Sequence, residues 1–247
     1  MSDLFSTAVV TGASRGFGRA IAAALVAQGA HVFGIARHEQ ELRTVRDELG
    51  ESFTPVAADA SDEALAQRVI REHRPGLLVL NAGATPHMAP VHEQTWETFS
   101  RHWHTDTRHV FTWTREALLA PLAPGSVVVS MSSGAVLAGS PLSGGYASAK
   151  AAVRYLSGYA AQESARAGLG IRFHTLLPHM SPAGGVGSLA IDGYAARQGV
   201  DRDTFVMSRE QPVLTAERAA QAVLDVARDA GSALEYKVTG GGLAPVD

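Results

Sequence analysis

Tyr146, Lys150 and Ser133 are the residues of this 247-residue chain whose types and spacing suit proton transfer at an oxygen atom. In Tyr146-Ala147-Ser148-Ala149-Lys150 the phenol and the ammonium are four positions apart, so on a helix they share one face. A free phenol is a weak base at neutral pH, and a neighbouring cation favours its ionised form. Ser133 lies 13 residues earlier, in Ser130-Met131-Ser132-Ser133-Gly134. A hydroxyl leaving a strand there can donate to a developing alkoxide, as an oxyanion-hole donor does. Tyr-x-x-x-Lys also arises by chance on many helices, and serine pairs are common after strands. Position 150 is selective in one respect: of 21 basic residues, only Lys150 and Lys237 are lysine. That points to a need for a compact ammonium rather than for any positive charge.

A second cluster suits a dinucleotide. Thr11-Gly12-Ala13-Ser14-Arg15-Gly16-Phe17-Gly18 follows an apolar strand and opens a helix. Glycines allow a tight turn and close approach of backbone N–H groups to a pyrophosphate, and the helix N-terminus adds partial positive charge. The spacing is G-x-x-x-G-x-G rather than the commoner G-x-G-x-x-G. A carboxylate about 20 residues on would hold the ribose 2′-OH of NAD, whereas an arginine accommodates the 2′-phosphate of NADP. Positions 35–38 read Ile-Ala-Arg-His, without a carboxylate. Arg37 is placed to meet a phosphate and Arg15 to reach it from the other side, so NADP(H) is the expected cofactor. Glu39 and Glu41 lie just downstream and complicate this reading.

The elements that must position these groups alternate from end to end. Strands are expected at Thr7–Val10, His31–Ala36, Thr54–Ala58, Leu77–Leu80, Ser126–Ser130, Ile171–Leu177 and Leu234–Val238. Their near-continuous apolarity suits parallel strands covered on both faces. Helices are expected near Gly16–Gln28, Gln40–Leu49, Asp62–Glu72, Thr95–Leu119, Gly145–Ala167 and Ala216–Asp229. The alternation predicts an α/β fold: one doubly wound, Rossmann-like parallel sheet of about seven strands, with helices on both faces. Residues 1–247 are read as a single domain. Pro178–Pro212, with five glycines and three prolines, breaks the rhythm. It is read as a substrate loop, with a short helix around Ile191–Arg197.

Composition narrows the function classes. With no cysteine, thiolate catalysis, cysteine-ligated zinc and iron–sulfur clusters are excluded. A formal charge of −3 offers no basic field for nucleic acid or anionic membrane. The longest aliphatic stretch, Ala20–Ala27, is too short for a bilayer, and the start MSDLF lacks a secretory pattern, so a cytoplasmic protein is expected. Of the ten histidines, His102 and His104 are two apart on a helix and point different ways, and His104 and His109 are five apart. They are read as surface or core residues, with no metal site. His87, Met88, His179 and Met180 fall on loops expected at the mouth of the site.

Taken in order, Thr11–Gly18, Asn81-Ala82-Gly83 after the fourth strand, Ser133 and the Tyr146/Lys150 pair resemble the short-chain dehydrogenase/reductase family. The resemblance covers roughly residues 5–178. It implies hydride transfer between a nicotinamide and a small-molecule carbonyl or alcohol. Tyr146 would be the general acid or base, with Lys150 hydrogen-bonding the nicotinamide ribose and assisting the tyrosine. Ser133 would orient the carbonyl. Gly12, Ser14, Arg15, Gly16, Phe17 and Gly18, then Arg37, Asp59, Asn81, Ala82, Gly83 and Pro178, would contact the cofactor. A homodimer or homotetramer through the helices around Thr95–Leu119 and Gly145–Ala167 is also implied. The family pattern places a catalytic Asn where this chain has Asp106, and a Pro-Gly with a following Thr where it has Pro178-His179-Met180-Ser181 and Ala183. Asp106 is expected to replace the amide in the proton relay and to offset part of the ammonium's effect on Tyr146. These departures keep two other readings open: a non-redox epimerase, dehydratase or cyclase on this fold, and an NADPH-binding sensor without turnover.

Overall fold

Alternate residues along each strand decide which helices cover which face. The computed structural model describes residues 5–182, 185–209, 211–229 and 233–246. Its strands are β1 (Thr7–Thr11), β2 (His31–Ala36), β3 (Phe53–Ala57), β4 (Leu77–Leu80), β5 (Val127–Met131), β6 (Arg172–Pro178), β7 (Glu235–Thr239) and β8 (Gly242–Pro245). They form one eight-stranded sheet in the order β3-β2-β1-β4-β5-β6-β7-β8. All neighbours pair parallel except β7 and β8. On one face Ala8, Val10, Val127 and Val129 pack under α1 (Gly16–Ala27), α2 (Glu39–Leu49) and α10 (Ala216–Arg228). On the other, Val9, Leu78, Leu80 and Val128 meet α3 (Glu63–His73), α5 (Arg108–Leu119) and α7 (Gly144–Arg166). Each such valine or leucine removed from water contributes ~1.5–3 kcal/mol, so both faces need their helices. The order reverses between β1 and β4, which leaves a crevice outside the carboxyl ends of the strands.

Four features depart from expectation. Several strand boundaries move by a residue, as at β5 and β6. The single helix expected over Thr95–Leu119 is α4 (Trp96–His102) and α5, joined by a π-helical turn at Trp103–Thr107. The helical periodicity continues through it, so sequence gives no warning. After the short α6 (Ala135–Ala138) and β6, the segment at 178–212 is more helical than expected: the short helix expected around Ile191–Arg197 is part of the longer α8 (Gly185–Gln198), and α9 (Arg202–Met207) follows it. Glycines mask an apolar stripe in α8, whose Ile191 and Ala195 bury against Phe205 of α9. Asp201 starts α9 by accepting from the Thr204 N–H at 2.8 Å. Last, Gly242–Pro245 adds the antiparallel edge strand β8, too short and too rich in Gly and Pro to read as a strand. Among the described residues no helix is long and apolar enough to cross a membrane.

Candidate active site

The crevice is a cleft of about 760 Å³. One end is floored by the turn after β1. Gly12 has φ +69°, and its N–H donates to the Ile35 carbonyl at 2.7 Å, which seats the turn on β2. From β4, the Asn81 side chain donates to the Thr11 carbonyl at 3.1 Å. The Asn81 and Ala82 N–H groups both donate to Thr11 Oγ1, at 2.9 and 3.1 Å. Asn81-Ala82-Gly83 is thereby stapled to the glycine turn, and all three residues line the cleft. Helix α1 starts at Arg15 with no side chain capping it, so its first N–H groups are left for a ligand. Gly12, Ser14, Arg15, Gly16 and Phe17 line the cleft, while Gly18 does not. It is buried where any side chain would run into the Gly12 carbonyl, so its place is in the packing of helix on turn.

Arg37, Asp59 and Glu41 line the same end. Arg15 and Arg37 are exposed, and neither has an ion-pair partner among the described residues. Glu39 is paired with Arg43 at 2.6 Å, which turns its charge along α2. The Ser61 N–H, bound at 2.8 Å, is the main cause holding the Asp59 carboxyl below its ordinary range. Burial opposes it, and the Ser61 hydroxyl and the Arg37 charge add to it.

At the centre lie Ser133, Tyr146, Lys150 and Asp106. Ser133 leaves β5, and its Oγ accepts from the Ala135 N–H at 3.2 Å. The Lys150 ammonium is buried, donates to the Met131 carbonyl at 3.0 Å, and lies 5.8 Å from the centre of the Tyr146 ring. Asp106, on the π-turn, is also buried, with Oδ2 3.3 Å from Lys150 Nζ. Its Oδ1 accepts from the Ala84 N–H at 2.8 Å and the Thr105 hydroxyl at 2.9 Å. Gly83 makes room for it, since a Cβ there would lie 2.8 Å from Oδ2. Burial favours neutral forms of both groups, yet the ion pair dominates. Lys150 is pushed up by Asp106 and Tyr146, and Asp106 is pushed well down by Lys150 and its hydrogen bonds. His109 of α5, fully buried nearby, is pushed down to about 4 by burial and by Lys150, so it is neutral at pH 7.

Pro178, His179 and Met180 line the far wall with α8 and α9, whereas His87 and Met88 stand off the cleft. Met88 instead points at Gly193 of α8, where a Cβ would lie 3.0 Å from its Cε. Ser181 donates to the Leu214 carbonyl at 2.7 Å. Ala183 lies outside the described residues. His102, read from the sequence as a surface or core histidine, is a core residue, and what the sequence did not show is that it is buried against Asp106 and Tyr146. The i, i+4 spacing to Asp106 was the available signal. Among the described residues no three His, Cys, Asp or Glu groups are disposed to hold a metal ion.

Residues 6–186 match the sequence profile of the family described as short chain dehydrogenase. The chain is 32% identical over 158 residues to a short chain dehydrogenase of Pseudocercospora fijiensis, covering 60% of this chain and 51% of that one. It thus spans about half the length of that relative. It is 31% identical over 166 residues to an NADPH-dependent pterin aldehyde reductase of Arabidopsis thaliana, 64% of this chain and 68% of that one. In fold it is similar to levodione reductase, with a TM-score of 0.83 at 24% identity over 95% of this chain and 96% of that one. The profile covers well over half of the chain and the fold agrees with it: this protein belongs to the short-chain dehydrogenase family.

Proposed function

We propose that this protein is an NADP(H)-dependent oxidoreductase that reduces a ketone or aldehyde to an alcohol, or runs the reverse, with Tyr146 carrying the proton. The observation behind this reading is a convergence in one cleft. Tyr146, Lys150 and Ser133 meet there with an uncapped helix N-terminus and two arginines that lack ion-pair partners among the described residues. A cleft of about 760 Å³ suits a dinucleotide with a small substrate. The α1 N-terminus would hold the pyrophosphate, and Arg15 and Arg37 the 2′-phosphate. When bound, NADPH would supply the hydride for the carbonyl carbon. Tyr146 holds a proton at its Oη and gives it to the carbonyl oxygen, completing the alcohol. Ser133 Oγ donates to the same oxygen and orients it. Lys150, anchored on Met131 and Asp106, stabilises the phenolate left behind and recovers the proton for it from solvent. The NADPH-dependent aldehyde reductase among the relatives supports both the cofactor and the direction. Phe111 and Leu119 on α5 and Tyr155 and Tyr159 on α7 are exposed apolar side chains that a second copy would cover, which supports a homo-oligomer.

The test is loss of nicotinamide absorbance with NADPH and a panel of ketones and aldehydes. Tyr146→Phe should lower kcat at least ~100-fold and leave NADPH affinity unchanged. Near-normal turnover by this variant would favour the non-redox reading. NADPH binding without turnover of any carbonyl would favour the sensor.

A further inference from the structure

His102 belongs to none of the motifs that point to the cleft, yet it touches two of the residues they converge on. It ends α4, and its side chain is only 2% exposed. Gly145 sets the approach: a Cβ there would run into the Phe99 carbonyl, so the glycine lets α4 lie directly on the first turn of α7. The His102 ring therefore meets the Tyr146 ring edge-on, with centroids 5.4 Å apart and planes at 81°. Its Nδ1 is 3.4 Å from Asp106 Oδ1. An ionised carboxylate only accepts, so Nδ1 carries the hydrogen and donates it. The π-turn matters here, because it directs Asp106 both back to His102 and across to Lys150.

We propose that His102 is a positioning residue for proton transfer at Tyr146. Its Nδ1–H fixes the carboxylate that pairs with Lys150, and its ring edge fixes the plane of the phenol. The proposal rests on Tyr146 being the proton carrier. One side chain would then constrain both the phenol and the carboxylate paired with Lys150, where core packing would need only the ring. Among the described residues, the charged and titratable groups at the phenol are Lys150 of its own helix, His102 of α4, Asp106 of the π-turn and the neutral His109 of α5. His179 after β6 and Tyr194 of α8 line the same cleft.

The ionisation of Tyr146 can be read without turnover. Tyrosinate absorbance is titrated in the full cofactor-free chain, and the titration of Tyr146→Phe is subtracted to isolate the one phenol. Failure to find a reducible carbonyl would thus count against the proposed function and leave this readout intact. The same subtraction is made in two further backgrounds. His102→Phe keeps a ring and removes the donor, so the carboxylate's charge is less offset. Formation of tyrosinate should then move to higher pH by about half a unit or more. His102→Asn keeps an N–H donor and removes the ring, so the titration should return to within a few tenths of the unmodified protein. With an accepted ketone, its kcat should still fall about fivefold or more at unchanged NADPH affinity. Superimposable titrations of His102→Phe and the unmodified protein would overturn the proposal. So would losses in both variants that simply follow their loss of stability in urea.

Discussion

Replacing Asp106 with Asn removes one charge from a buried pair without changing the shape of the side chain. At 3.3 Å the attraction between Oδ2 and Lys150 Nζ is ~5 kcal/mol at an effective dielectric of about 20. Part of that is returned, because the neutral amide no longer carries the desolvation cost of a carboxylate. The geometry adds a further cost. If the amide oxygen keeps the Ala84 N–H and the Thr105 hydroxyl, its NH₂ faces the ammonium, and if it flips, the NH₂ faces the Ala84 N–H. Either way two donors meet. Lys150 keeps only the Met131 carbonyl as a firm anchor. The expected net loss is ~2–4 kcal/mol, near the range for breaking a buried pair by removing one partner. The linkage signs follow from the shifts. Asp106 is depressed from 3.8, so its contribution is present above that value and lost as pH falls through the folded value. Lys150 is raised from 10.5, so its contribution is present below that value and lost as pH rises through the folded value. Urea denaturation of both proteins should therefore differ by a constant amount across the neutral range and converge in strong acid. In alcohol oxidation the less neutralised ammonium should favour the phenolate, so the acid limb, where kcat/KM rises as the phenol ionises, should move to lower pH in the variant. Equal stability at pH 7 together with superimposable profiles would refute the reasoning, showing that the carboxylate is electrostatically silent.

Two further outcomes follow from the cofactor end and from the buried imidazole. NADPH should bind more than about tenfold tighter than NADH, about 1.4 kcal/mol, through Arg15 and Arg37, and Ala36→Asp should erase or reverse that preference by repelling the 2′-phosphate. Equal affinities of the unmodified protein for the two cofactors, measured by calorimetry, would sink the assignment. His109, pushed from 6.5 to about 4 by burial, must stay neutral in the folded state, so stability should fall by up to ~3 kcal/mol as pH drops from about 6.5 towards 4. His109→Gln should flatten that part of the urea-stability profile, and an unchanged slope would show that other groups set it.

The sheet was legible because a parallel strand covered on both faces must be apolar at nearly every position. Val127-Val128-Val129 and Leu77-Leu78-Val79-Leu80 have no other stable place in a chain of this size. What sequence missed were elements whose cause is tertiary. Gly242–Pro245 is a strand only because β7 offers it an edge. The helix expected around Ile191–Arg197 is the C-terminal half of α8; its extension back to Gly185 has a weak stripe of its own, and α8 is fixed by Ile191 and Ala195 burying on Phe205, a contact made across an intervening turn.

At the site, spacing could bring Tyr146 and Lys150 together, because an (i, i+4) relation is geometry that one helix supplies alone. It could not say where Asp106 would point, because that depends on an interruption within a helix whose apolar pattern is continuous. The π-turn at Trp103–Thr107 gives the carboxylate two partners at once: the ammonium of α7 and the imidazole one helical turn back. The expectation that Asp106 serves the proton relay and offsets part of the ammonium's effect says nothing of its contacts. Its two oxygens divide them. Oδ1 is bound to Ala84, Thr105 and His102, and Oδ2 is left for Lys150. A carboxylate can do this because both of its oxygens accept, whereas an amide at 106 would have to present a donor to one side. The acid at this position and the histidine four residues before it are therefore one arrangement, and each accounts for the other.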